Sequence, residues 1–223
     1  MIQNKLVYTL PQVVKKYSTK KELQPAEKQI LQKYYSLISG SVMLDLGVGT
    51  GRTTPFFSEI CKEYYGTDYS FTMIKECKRK FKNLAFYVMD TRKLSFPDNY
   101  FDFVLYSFNG LDYVNLAGRL KSLQQINRVL KPNGLFVFST HNLRSVIINP
   151  KQKFKIIKDG VFRNTIKTFY ILPEKAVEQV NNFGFEVIDA YENKGKRIDL
   201  KSIKETKSTW VYFVCRKVGV PYK

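Results

Sequence analysis

Apolar runs alternate with helically spaced apolar residues along most of the chain. Residues 42–46 are apolar except for Asp45 and read as a strand buried on both faces, as parallel strands are. Further strands are expected at 64–67, 84–89, 101–106 and 135–140. Residues 185–191 and 209–216 follow as two final strands, expected as an antiparallel hairpin at one edge. Helices fill the gaps at 53–62 and at 71–81, the latter with Ser70 as N-cap. Leu116, Leu120, Leu123 and Leu130 then line one helical face, which Lys131-Pro132-Asn133-Gly134 stops. Pro173 opens a last helix carrying Ala176, Val177, Val180 and Phe183, closed by Gly184. Residues 11–38 read as two helices, the second opened by Pro25. Strands alternating with helices predict an α/β three-layer sandwich. Its sheet is mostly parallel and seven-stranded, with the last strand antiparallel. Residues 1–40 are expected on the substrate side, and 41–223 as the core of one structural domain. A basic insertion at 144–172, irregular over 144–166, reads as a lid or substrate-facing segment.

Composition narrows the class. The 223 residues suffice for one full core, and 44% hydrophobic content excludes a disordered chain. No stretch reaches membrane-span length, and the first residues lack a secretory apolar region. Cys61, Cys77 and Cys215 are odd in number and lack C-x-x-C spacing. They read as reduced thiols of a cytoplasmic protein, with no disulfide frame and no metal site. The net charge is +18, with basic clusters at 15–21, 151–158 and 194–207. Such a surface attracts anions, nucleic acid included, or simply keeps the protein soluble. Lysine outnumbers arginine about three to one by count along the chain. Phosphate-forking surfaces favour arginine, so the excess weighs against nucleic acid.

The chemistry gathers after the first strand. Asp45 is followed by Gly47, Gly49 and Gly51, then by a helix, and Asp68 closes the second strand. Strand, glycine turn and helix cradle nucleotide-type cofactors, because backbone can approach the ligand without a Cβ between. A carboxylate ending the second strand can accept hydrogen bonds from both ribose hydroxyls. The dinucleotide fingerprint G-x-G-x-x-G/A would place its third small residue at Arg52, which is too large.

This G-x-G-x-G pattern with its two acids resembles the class I (Rossmann-like) methyltransferases, which use S-adenosylmethionine and release S-adenosylhomocysteine. The likeness runs from about Leu23 to Arg216. It includes Val88-Met89-Asp90-Thr91, the fourth-strand segment 101–107, and 128–135 with Asn133 at a usual glycine. The resemblance implies that Gly47, Gly49 and Gly51 line the methionine and ribose portions and that Asp45 organises the loop near the methionine amine. It further implies Asp68 on the ribose, Asp90 and Thr91 flanking adenine, and Ser107 and Phe108 bordering the sulfonium and methyl. Arg52 either pairs with the cofactor carboxylate or is an exposed first-turn residue. Asp102, at the start of its strand, reads as structural.

Methyl transfer to a hydroxyl needs alignment, exclusion of water and a base for the proton. His141, the single histidine, follows the fifth strand at the carboxyl edge where ligands bind. It is either the general base or a loop residue. Asp112 is a second base candidate, the orienter of His141, or a cap before the Leu116 helix. Tyr17, Tyr113 and Tyr170 are candidates for an acceptor pocket. The segment after the fourth strand lacks Asn/Asp-Pro-Pro-Tyr/Phe, and no Pro-Cys pair occurs. Those gaps disfavour methylation of base amines and pyrimidine carbons. The expected acceptor is a small molecule bearing a hydroxyl, such as a metabolite or sugar. An RNA methyltransferase acting on ribose or guanine N7 is the alternative, and a non-catalytic cofactor-binding module the second.

Overall fold

The computed structural model describes residues 2–147, 157–159, 164–166 and 168–219. Its parallel strands are β1 (Val42–Leu46), β2 (Glu63–Asp68), β3 (Ala85–Val88), β4 (Phe101–Tyr106) and β5 (Leu130–Asn142). Two short antiparallel strands, β6 (Ile157–Asp159) and β7 (Asn164–Ile166), pair only with each other. The two-residue β8 (Tyr170–Ile171) adds to the end of β5. After it come β9 (Phe185–Glu192), β10 (Arg197–Ile198) and β11 (Trp210–Lys217). The main sheet runs β10-β9-β11-β5-β4-β1-β2-β3, so β1 sits inside it between β4 and β2. The seven expected strands are present, and β8 and β10 make the sheet nine-stranded.

The two last expected strands, β9 and β11, pair antiparallel at one end of the sheet, as expected. β11 enters between β5 and β9, antiparallel to both, and β10 takes the edge. Residues 211–215 are all buried, which fits an interior strand covered on both faces.

Helices cover both faces. Leu123, Ile126 and Val129 of α7 (Leu116–Val129) and Ala176 and Val180 of α9 (Pro173–Asn181) pack on Leu44, Val104, Phe136 and Phe213. On the other face, Ala26 and Ile30 of α3 (Pro25–Lys33), Phe57 of α5 (Thr54–Ser58), and Ile74 and Cys77 of α6 (Phe71–Lys80) pack on Met43, Phe103, Val137 and Val214. Adjacent residues on each strand divide between the two cores, as the pleat requires: Met43 faces one and Leu44 the other. α5 is shorter than expected. Gly40 N–H takes the Ile60 carbonyl at 2.8 Å and turns the chain toward β2. Asp102 is structural as expected, accepting from Val42 N–H at 2.9 Å and from Lys131 at 2.7 Å.

The N-terminal region holds four helices rather than two: α1 (Ile2–Thr9), α2 (Pro11–Ser18), α3 and α4 (Tyr35–Ile38). Pro11 separates the first pair. Tyr34 breaks the second, because its hydroxyl donates to the buried Asp189 on β9 at 2.6 Å. Lys33 and Arg197 pair with the same carboxylate, which anchors α3 to the sheet. Helices α1 and α2 pack through Val7, Tyr8 and Val13 against Met73 of α6, and so roof the carboxyl edge near β2.

Much of the 144–172 insertion lies outside the described residues, as do residues 151–156 of its basic cluster. The described parts are α8 (Leu143–Ile147), the β6–β7 pair and β8, with β7 beside α1.

Candidate functional site

The turn after β1 is shaped by close approach. Gly47 has φ +61°, and a Cβ there would sit 2.9 Å from the Tyr106 ring. A Cβ on Gly110 would meet the same edge of that ring even more closely, so Tyr106 packs against two glycines. Asp45 lies beneath the turn. It accepts from Thr53 Oγ1 at 2.5 Å and from Tyr64 OH at 2.8 Å, and burial pushes its carboxyl up to about 6.

Asp68 ends β2 with its carboxylate directed back at the turn. Gly49 N–H donates to Oδ2 at 3.0 Å and Ser70 N–H to Oδ1 at 2.8 Å. Burial raises this carboxyl to about 6, against the pull of those donors. After β3, Thr91 Oγ1 donates to Tyr106 OH at 3.3 Å. Asp90 is partly exposed and forked by Arg92, whose Nε donates to Oδ1 at 2.8 Å. Arg92 was not foreseen beside the expected adenine contact.

At the other end of the turn, Arg52 is neither exposed nor directed at open space. Its guanidinium forks Glu27 of α3, with Nη1 2.6 Å from Oε2 and Nη2 2.7 Å from Oε1. Glu27 is 1% exposed and also accepts from Gln24 N–H at 2.6 Å, closing a capping box at the start of α3. Ser107 Oγ donates to Glu27 Oε1. The methionine end of the expected site is therefore built on a buried ion pair between α3 and the glycine turn.

Phe108 and Asn109 follow β4 with φ of +55° and +61°, left-handed values unusual for two consecutive non-glycine residues. Asn109 N–H donates to Ser139 Oγ at 2.8 Å, and its amide Nδ2 lies 3.3 Å from His141 Nε2.

The structure brings His141 and Asp112 together, but away from the cavity. Asp112 Oδ2 takes the His141 backbone N–H and Nδ1, each at 2.7 Å. Its Oδ1 takes Thr140 Oγ1 at 2.6 Å and Arg119 Nη1 at 2.7 Å. With Nδ1–H donated to Asp112, Nε2 is left as the acceptor for Asn109; this tautomer is assigned from the network. Tyr170 and Trp210 cover the imidazole at centroid distances of 5.0 and 5.7 Å. Neither His141 nor Asp112 is among the residues that line the cavity. Nor does Asp112 cap the Leu116 helix. Asn115 does so, accepting from Gly118 N–H at 2.9 Å.

A cavity of about 390 Å³ runs along the carboxyl edge beneath α1 and α2. It is lined by Asp45, Gly47, Gly49, Arg52, Asp68, Asp90, Thr91, Ser107 and Phe108; of the expected cofactor residues only Gly51 stands back from it. Its remaining wall includes five tyrosines, Tyr8, Tyr17, Tyr69, Tyr106 and Tyr113, and the cations Lys20 and Arg92, among aliphatic and neutral polar residues such as Met73, Val114 and Asn4. Tyr17 and Tyr113 therefore stand where expected, whereas Tyr170 does not. Tyr106 was missed although Gly47 and Gly110 flag it, since paired glycines mark where a large ring passes. Tyr8 and Lys20, which reach the cavity from the N-terminal region, and Glu27, which reaches Arg52 from there, carry no local signal.

Residues 44–138 match the model of a methyltransferase domain. Over 220 residues the chain is 27% identical to an uncharacterized protein of Methanocaldococcus jannaschii, covering 89% of this chain and 84% of that one. It is 37% identical over 113 residues to the demethylmenaquinone methyltransferase of Staphylococcus saprophyticus, covering 48% of this chain and 47% of the relative. In fold it resembles the CcbJ methyltransferase of Streptomyces caelestis, with a TM-score of 0.71, 16% identity and 97% and 99% of the two chains covered. The matched methyltransferase domain, with the glycine turn and the sheet order, makes this chain an S-adenosylmethionine-dependent methyltransferase of class I architecture; the likeness to CcbJ speaks for the fold alone.

Proposed function

We propose that this methyltransferase acts on a small molecule held at the aromatic end of the cavity, with a hydroxyl oxygen as the first acceptor to test. The observation that carries this reading is the roof. Tyr8 of α1 and Tyr17 of α2 stand over Phe108 and Tyr113, with Tyr8 and Tyr113 centroids 5.6 Å apart and Tyr17 and Phe108 6.4 Å apart. A cavity of about 390 Å³ walled by aromatic rings suits a compact acceptor beside the cofactor. Similarity to the demethylmenaquinone methyltransferase adds a ring carbon of a quinol-type acceptor as the next candidate. The +18 charge supports RNA as the second reading.

The residues present fit the cofactor. A turn without Cβ atoms at Gly47 and Gly49 leaves room for close approach, and Asp68 presents a carboxylate at the ribose position. Bound there, the cofactor supplies a methyl already activated on positive sulfur. Asp45 and the Arg52–Glu27 pair hold the methionine side, while Asp90, Thr91 and Arg92 border adenine. His141 and Asp112 act in this reading as positioning residues: they fix Asn109, and with it the Phe108 ring, beside the acceptor.

Calorimetric titration with S-adenosylmethionine tests this reading, with NAD as control. Saturable binding of the former alone is expected. Acceptors would then be screened as hydroxylated metabolites, quinols and RNA, and turnover on RNA alone would overturn the small-molecule assignment. Among the described residues no helix is long and apolar enough to cross a membrane.

A pH dependence follows from the two acids. Both carboxyls sit near 6 in the fold against 3.8 ordinarily, so the fold favours their protonated forms. Their contribution to stability is fullest below 3.8 and is lost as the pH rises through about 6. Cofactor binding runs the other way, because ribose hydroxyls donate to ionised Asp68. Affinity should fall as the pH is lowered from above 7 to about 5, with proton release on binding near the lower end. Equal affinity across that range would count against Asp68 as the ribose ligand.

A further inference from the structure

We propose that the solvent face of α1, α2 and α6 docks on an anionic phospholipid surface, so that the roof of the cavity lies against bilayer headgroups. The inference goes beyond the acceptor assignment and stands without it. Two apolar side chains point to it. Phe71 and Leu6, 66% and 62% exposed, are the most exposed large apolar residues among those described. Both sit where α1 meets α6. Ser70 and Thr72, on either side of Phe71, donate through their hydroxyls to the carbonyls of Tyr8 and Thr9 at 3.0 and 3.3 Å. Thr9 Oγ1 in turn donates to the Leu6 carbonyl at 2.7 Å.

Cations share this face. Phe71, Lys75 and Lys78 recur at helical spacing along α6 and are all exposed, while Met73, Ile74 and Cys77 on its other side are buried. The helix carries four basic residues against one acidic, and that acid, Glu76, is held by Arg79 and Lys80. Helix α2 lies beside α6, where Ser18 Oγ donates to Glu76 at 3.3 Å, and it exposes Lys15 and Lys16. Each ammonium near an anionic leaflet strengthens binding about fivefold, and an apolar side chain reaching the acyl boundary adds to that. Single exposed apolar residues are ordinary, but a pair of them beside a row of ammoniums is the make-up of a bilayer-interface surface. Nucleic acid is the competing anion. Arginine forks grip its phosphates best. The one arginine of α2 and α6, Arg79, already forks Glu76, its Nε and Nη2 each 2.9 Å from a carboxylate oxygen.

Co-sedimentation of the full chain with vesicles tests the proposal, using phosphatidylcholine alone and an equimolar mixture with phosphatidylglycerol. The protein should partition onto the anionic vesicles at low salt, and neither onto neutral ones nor at high salt. Lys75→Gln combined with Lys78→Gln should lower the partition coefficient roughly 25-fold, about fivefold for each ammonium removed. Phe71→Ser leaves the charge unchanged and should lower it about fivefold, whereas Phe71→Leu should keep it near the parent value. All these positions are exposed, so the variants should retain the parent's circular dichroism and unfolding midpoint. Equal partition onto neutral and anionic vesicles, no partition onto either, or variants that bind as the parent does would each overturn the proposal. So would tight binding to duplex RNA that anionic vesicles do not displace and that Phe71→Ser leaves intact, a result that assigns the face to nucleic acid.

Discussion

Asp112→Ala is expected to destabilise the protein by about 3–5 kcal/mol, the range for removing one partner of a buried ion pair. The side chains of Asp112 and Arg119 are both 0% exposed. Deleting the carboxylate leaves the guanidinium uncompensated in the core and strands Thr140 Oγ1 and two donors of His141. Asp112→Asn keeps the volume but turns an N–H₂ toward groups that are themselves donors, so it should also be destabilising. Replacing both partners, as in Asp112→Leu with Arg119→Met, should recover much of the loss by removing the orphaned charge. Denaturant unfolding midpoints at constant slope would measure all three. A loss below about 1 kcal/mol for the alanine variant would show that solvent or a rearrangement compensates Arg119.

Asp68→Ala should act on binding more than on folding. Cofactor affinity is expected to weaken by about 1–3 kcal/mol, or roughly 5- to 150-fold, for the loss of a charged acceptor. The folded protein already carries this carboxylate at a disadvantage, since burial raises its pKa to about 6. Its removal therefore relieves desolvation while orphaning the Gly49 and Ser70 N–H groups, and the two effects oppose each other. Asp68→Asn retains an acceptor oxygen and should fall between parent and alanine in affinity. Titration of the three proteins with S-adenosylmethionine decides the matter, and unchanged affinity in the alanine variant would remove Asp68 from the ribose.

These two residues differ in how openly the chain announces them. Asp68 and the glycines belong to one local unit of strand, turn, helix and strand, whose residue types and spacing directly express its geometry. The partners of Arg52 and Asp112 come from distant segments. Glu27 is 25 positions from Arg52, and His141 is 29 from Asp112. No periodicity links such pairs. The position of His141 at the carboxyl edge is legible in the sequence, but its exposure depends on β11. In register, Trp210 lies directly opposite His141, and its ring joins Phe108 at 5.2 Å. The interior position of β11 is visible only in hindsight, because an unbroken apolar run from 211 to 215 is consistent with an edge or a centre until its neighbours are known. The N-terminal helices were predicted in part. Pro11 and Pro25 mark starts legibly, whereas the break at Tyr34 depends on Asp189, another 155 positions away.

The left-handed pair Phe108–Asn109 bears on when the site can exist at all. A turn bond from Gly110 N–H to the Ser107 carbonyl, 3.4 Å long, spans the pair, and Ser139 and His141, on the far side of α7 in the chain, fasten Asn109. As the chain emerges during synthesis, the glycine turn and Asp68 can assemble early, yet the wall beside them stays unformed until β5 has docked against β4. Nor can a fragment ending before Ser139 complete the pocket, however well its nucleotide cradle folds. The wall beside the glycine turn is thus acquired last.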